Sequence, residues 1–83
     1  MNVSNTLESM NNAIDDVYKI IGERIRKLRK ARGLSQERLA ERAGIDRSHM
    51  GFIEQGRRQP TIATLHKLTK TLNVSLSELF HDL

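Results

Sequence analysis

The chain has 83 residues, no cysteine, 37% hydrophobic residues and a mean hydropathy of −0.52, which allows one small domain and excludes disulfides, thiolate metal sites and thiol catalysis. No apolar run approaches the roughly 18 residues of a membrane span, and no basic start leads into an apolar block as in a signal peptide, so a cytoplasmic protein with no membrane partner is expected. The net charge is +4 and uneven: residues 1–23 hold one base and four acids, whereas residues 24–83 hold thirteen bases and six acids, a balance that suggests a polyanionic partner.

Residues 1–11 are rich in Asn and Ser without apolar period and read as a flexible tail, leaving 12–83 as the domain. Asn12 can cap a first helix. Ile14, Val17, Tyr18, Ile21, Ile25 and Leu28 then fall three or four residues apart, one helical face, with Arg24, Arg26, Lys27, Arg29 and Lys30 between them; the basic run Arg24 to Arg32 reads as a mostly solvated face, with two of its members expected to reach phosphate. This helix should stop near Arg32-Gly33. Ser35 caps a second helix from Gln36 to about Ala43, and Gly44 ends it. Asp46 caps a third, Arg47 to about Gln55, closed by Gly56, with Met50 and Ile53 inward. Pro60 keeps Arg57-Arg58-Gln59 in a loop. Thr61 starts a fourth helix whose expected buried edge is Ile62, Leu65, Leu68 and Leu72. Ser75-Leu76-Ser77-Glu78 has the form of a capping box and opens a short fifth helix. No alternating run suggests a strand, so the fold class is all-α with five helices.

The informative stretch is residues 36–55. Two short helices meet at Gly44 with almost no linker, a sharp corner that favours the positive φ of glycine. Ala40 faces the corner, and Leu39, Ala43, Ile45, Met50 and Ile53 hold the pair together. This is the layout of a helix-turn-helix, whose second helix enters the DNA major groove.

From Ile21 to about Phe80 the sequence resembles the phage Cro/repressor-type helix-turn-helix regulators, the xenobiotic-response-element family. The resemblance rests on Ile21-Gly22-Glu23-Arg24-Ile25-Arg26-Lys27-Leu28-Arg29, Gly33-Leu34-Ser35-Gln36-Glu37, Leu39-Ala40, Ala43-Gly44-Ile45, Ile53-Glu54-Gln55-Gly56, Pro60 and Leu72-Asn73-Val74-Ser75. Restriction–modification controller proteins look similar in length and in Asp46-Arg47-Ser48. The resemblance implies a compact five-helix lambda-repressor-like domain, here with an extended N-terminal helix. It also implies sequence-specific binding of double-stranded DNA as a homodimer, and transcriptional regulation without a cofactor.

Residue by residue, Arg47, Ser48, His49 and Phe52 would face base edges, Arg47 by a bidentate contact to guanine or else by a phosphate contact. The family usually has a polar residue where Phe52 stands; an outward Phe could pack on a thymine methyl, or belong to the core or a protein contact. Gln36 and Ser35, at the head of the second helix, and Arg57 and Arg58, in the loop after the third, suit phosphates. In the family an arginine on the first helix pairs with the glutamate ending the third, which implies an Arg29–Glu54 ion pair.

One recognition helix reads few base pairs, so two copies on a two-fold-related operator are expected. The fifth helix and C-terminus offer Leu76, Leu79, Phe80 and Leu83 as the self-contact; the rival is the first helix, with Ile14, Val17, Tyr18 and Ile21. An antitoxin or other module with a protein as main partner is the alternative function. His49, His66 and His81 lack ligand spacing, so no metal is expected. Asp15 and Asp16 diverge on a helix, and no phosphate-binding glycine loop or nucleophile elbow appears, so no enzyme is expected.

Overall fold

The computed structural model describes residues 3–83, and their side chains from Ala13 onward. Five helices follow in order: α1 (Val3–Ala31), α2 (Gln36–Ala43), α3 (Arg47–Glu54), α4 (Ile62–Leu72) and α5 (Leu76–Leu79), with no strand among the described residues.

Each of the last four helices starts where its capping residue dictates. Ser35 Oγ accepts the Arg38 N–H at 3.0 Å, Asp46 Oδ2 that of His49 at 3.2 Å, and Thr61 Oγ1 that of Thr64 at 3.1 Å. Ser75 and Glu78 close a reciprocal capping box. These bonds satisfy N–H groups that a helix start otherwise leaves unpaired. The α2–α3 corner turns at Gly44, whose φ is 70°. α1 begins earlier than expected: the predicted start at Asn12 falls inside a helix that runs from Val3. No Gly or Pro precedes Gly22 in the sequence, and Asn and Ser cost only tenths of a kcal/mol each when they extend a helix nucleated downstream. The expected tail includes residues 1–2, outside the described residues.

The core joins all five helices. Ile21 and Ile25 of α1 meet Leu39, Ala40 and Ala43 of α2, Met50 and Ile53 of α3, Leu65, Leu68 and Leu72 of α4, and Leu79 of α5. α1 packs on α3, α4 and α5, and α2 on α3 and α4. Gly22 permits the tightest of these approaches. A Cβ there would collide with the Ile53 carbonyl oxygen and lie 2.7 Å from that of Glu54, so α1 presses directly onto the C-terminal backbone of α3. Gly56, at φ 71°, repeats the contact from the other side, since a Cβ there would lie 2.8 Å from Lys19 Cα.

Two apolar assignments change. Ile62, expected on the buried edge of α4, is 61% exposed. It opens the helix, at the edge of the inward stripe, and the place nearer the stripe's centre is taken by Thr69, which is buried and donates its hydroxyl to the His66 carbonyl at 3.0 Å. Leu79, expected at a self-contact, is only 1% exposed and belongs to the core. In a single-turn α5, this is the side chain that fills the space under α1 and α4.

Candidate nucleic-acid interface

At about 100° per residue, Met50, Ile53 and Glu54 of α3 turn inward while Ser48, Phe52 and Gln55 turn outward. Arg47 and Ser48 are exposed and Phe52 is half-buried. With Gln36 and Gly51 these residues line one shallow depression: Gln36, Arg47, Ser48, Gly51, Phe52 and Gln55. Arg47 reaches it by lying along its own helix. Its Nη1 is 3.3 Å from the place where a Gly51 Cβ would stand, and Gln36 Oε1 is 3.7 Å from the same point. The bare Gly51 therefore lets a guanidinium and a carboxamide share the floor of the depression. His49 is not part of that lining. It sits on the flank away from Arg47, half-buried, with its backbone N–H in the Asp46 cap.

What holds α3 at this angle is an ion pair beneath it. Arg29 of α1 meets Glu54 with Nε to Oε2 at 2.6 Å and Nη2 to Oε1 at 3.0 Å. Arg29 Nη1 also donates to the Leu34 carbonyl at 2.8 Å. The two residues are 8% and 6% exposed, so the bidentate geometry matters: only paired, hydrogen-bonded charges are tolerated at such burial. Gln36 Nε2 donates to Glu54 Oε1 at 3.0 Å. The network thus runs from α1 through the end of α3 to the head of α2, and it leaves Gln36 its Oε1 and a second N–H facing out.

Around this centre the other basic residues divide into two groups. Arg57 lines a second groove with Lys19, Glu23, Arg26, Gln36, Glu54 and Gln55. Arg58 instead stacks on Phe52, its Cζ 5.2 Å from the ring centroid. Ser35 spends an Oγ lone pair on the α2 cap and keeps its hydroxyl proton to donate. In the basic run of α1, Arg26, Lys27 and Lys30 are exposed. Arg24 Nη1, however, donates to the Leu79 carbonyl at 2.8 Å and Arg32 Nε to the Leu72 carbonyl at 2.6 Å. These two serve the carbonyl ends of α5 and α4, where cations are favoured; Arg24 is half-buried in doing so, and Arg32 stays exposed.

Sequence reasoning missed Gln55, the centre of the outward face, although its spacing of seven from Ser48 marks the same stripe two turns on. It also missed Lys19 as a wall of the Arg57 groove, which no local pattern signals because Gly56 brings the two segments together. The expected self-contact is rearranged as well. Phe80 and Leu83 line an apolar groove with Ile14, Val17, Tyr18, Ile21, Pro60, Thr61, Ile62 and Leu65. Leu76, half-buried, lines a different cleft against His66, Thr69 and Lys70.

Comparison with known proteins finds relatives across the helix-turn-helix segment. The helix-turn-helix family model HTH_3 matches residues 25–79. The chain is 39% identical over 64 residues to the uncharacterized HTH-type transcriptional regulator y4dJ of Sinorhizobium fredii, covering 77% of this chain and 83% of that protein. Control protein C.SmaI of Serratia marcescens is 41% identical over 64 residues, covering 77% and 76% of the two chains. Against the HTH-type regulator PuuR of Escherichia coli the match is 44% over 61 residues but spans only 33% of that longer protein. In structure, the restriction-modification controller protein C.AhdI from Aeromonas hydrophila superimposes with a TM-score of 0.73 at 45% identity, covering 78% of this chain and 97% of that one. The chain belongs to the HTH_3 helix-turn-helix family, of the Cro/repressor or xenobiotic-response-element type, whose members are transcriptional regulators.

Proposed function

We propose that this protein is a transcriptional regulator that binds a two-fold-related operator in double-stranded DNA as a homodimer, with α3 of each copy in the major groove. The observation that carries the reading is the outward face of α3. It is a polar stripe with one arginine and one aromatic ring, set on the Arg29–Glu54 lock and flanked by exposed bases. Arg47 offers the forked donor that matches guanine O6 and N7, and Ser48 and Gln55 offer short and long hydrogen-bonding groups beside it. His49 reaches bases only from the flank of the helix. Ser35, the outward N–H of Gln36 and Arg57 take phosphates and fix the register without reading sequence, while Arg58, expected on a phosphate as well, stacks on Phe52 and adds its charge to the same flank. Family membership supports the regulator class.

The homodimer rests on a second observation. Of the four exposed large hydrophobic side chains among the described residues, Ile14, Ile62 and Leu83 border one groove, and Val17, Tyr18 and Phe80 complete it. The two candidate self-contacts of the sequence, the first helix and the C-terminus, therefore form one surface. An apolar patch rimmed by polar residues marks a protein contact, and a second copy is the partner that a two-fold operator requires. Selection of bound duplexes from a random pool, followed by footprinting, tests the reading. A two-fold-related consensus with major-groove protection in both halves supports it. Failure to enrich any duplex contradicts it, and capture of a different protein on the groove contradicts its homodimer half.

A further inference from the structure

We propose that Phe52, held by Arg58, forms a subsite for the C5 methyl group of one pyrimidine in each half of the bound site. This rests on the reading of α3 as the groove-entering helix. Within the depression on α3, the lining side chains of Gln36, Arg47, Ser48 and Gln55 are polar, and Gly51 has none. Phe52 is thus the single apolar side chain facing the base edges. The major-groove edge carries one apolar group, the methyl on C5 of thymine, and cytosine presents the same group when methylated. Polar edges of bases gain nothing from a phenyl ring and lose water to it, so an aromatic ring here favours the methylated pyrimidine.

Arg58 makes the ring a fixed element. Its guanidinium lies 5.2 Å from the centroid, within the range of cation–π attraction, and it covers one face of a side chain that is otherwise half exposed. Burial of the ring is divided between protein and arginine, and the part left uncovered opens into the depression beside Gly51. The floor over Gly51 is taken by Arg47 Nη1 and Gln36 Oε1, so a methyl group meets the ring from the open side of the depression, next to these polar groups. Both pyrimidine sources share this chemistry, and a substitution scan of the DNA separates them.

The experiment takes the highest-affinity duplex selected from a random pool by the wild-type protein. Each thymine is replaced singly by uracil, which deletes only the methyl, and each cytosine by 5-methylcytosine, which adds one. Burying one methyl predicts a change of about fourfold in Kd per half-site. A loss of that size with uracil at one thymine per half identifies thymine. A gain with 5-methylcytosine at one position identifies methylated cytosine. Phe52→Leu, which keeps an apolar side chain, should retain at least half of the effect, and Phe52→Gln should abolish it while both still bind. Arg58→Gln should shrink the effect, because the ring is no longer held. Uniform tolerance of every uracil and every 5-methylcytosine by the wild type would overturn the subsite while leaving the DNA-binding reading intact. Failure of the pool selection itself would overturn that reading, and this inference with it.

Discussion

Two glycines lie inside helices that carry the site, and replacing each by alanine should move stability in opposite directions. Either substitution in a helix interior gains about 1 kcal/mol of helix propensity. At Gly51 the new methyl meets only the far end of Arg47 at 3.3 Å and of Gln36 at 3.7 Å. Both are flexible and can withdraw, so most of the gain survives, roughly 0.5 kcal/mol or more. At Gly22 the methyl meets the carbonyl oxygens of Ile53 and Glu54. Main chain at the end of α3 cannot withdraw without moving α1 from α3, and overpacking of this kind costs about 1–3 kcal/mol. Because the obstacles are backbone, the upper part of that range applies, a net loss of about 1–2 kcal/mol. For a domain of this size each kcal/mol corresponds to roughly 4–8 °C in Tm. Thermal unfolding followed by circular dichroism should therefore show Gly51→Ala melting about 2–4 °C above the wild type and Gly22→Ala about 5–15 °C below it. The stabilised Gly51→Ala should nonetheless bind DNA more weakly, because Arg47 is displaced from its place over the helix. A Gly22→Ala protein that melts at or above the wild type would refute the close approach of α1 to α3. A Gly51→Ala protein that melts below the wild type would refute the account of the depression.

Other outcomes follow from the same contacts. Arg29→Ala or Glu54→Ala should each destabilise the domain by about 3–5 kcal/mol in chemical denaturation, since one buried charge loses its partner, and Arg29→Met with Glu54→Leu should recover part of the loss. Affinity for duplex DNA should fall steeply with salt, and Arg57→Ala should reduce the slope of log K against log salt by about 0.9 while weakening all sequences alike. In sedimentation, Phe80→Asp and Ile62→Asp should both shift the protein toward monomer. Leu76→Asp, which lines a different cleft, should leave the assembly unchanged; a monomeric Leu76→Asp beside a fully dimeric Ile62→Asp would move the self-contact back to the fifth helix alone.

The order of helices was legible because each boundary is written in one or two residues: Ser35, Asp46, Thr61 and Ser75 cap, and Gly33 and Gly44 end. The reading of Arg47 and Ser48 as outward and Met50 and Ile53 as inward needed only helical periodicity. What periodicity does not reveal is which apolar side chain another element covers. Ile62 and Leu79 were therefore interchanged in role: the first lies at the edge of α4's inward stripe, and the second sits beneath α1. Long cationic side chains posed a similar problem. Arg24 and Arg32 look like solvated bases in the sequence, yet their targets are carbonyls 55 and 40 residues away. Gly22 read as an ordinary family position, and only the crossing of α1 over α3 explains why no side chain fits. The stacking of Arg58 on Phe52 depends on the path of the loop after α3, for which the sequence offered Gly56 and Pro60 as limits but no direction.

The claim on which the rest depends is that the outward face of α3 reads base sequence. Parallel selections from one random duplex pool, with the wild type and with Arg47→Ala, test it most directly. The wild type should enrich a two-fold-related consensus, and Arg47→Ala should lose discrimination at one guanine in each half while keeping its overall affinity for duplex DNA within about tenfold, the lower part of what one bidentate base contact is worth. Recovery of an unchanged consensus by Arg47→Ala, or of no consensus by the wild type, would contradict the claim.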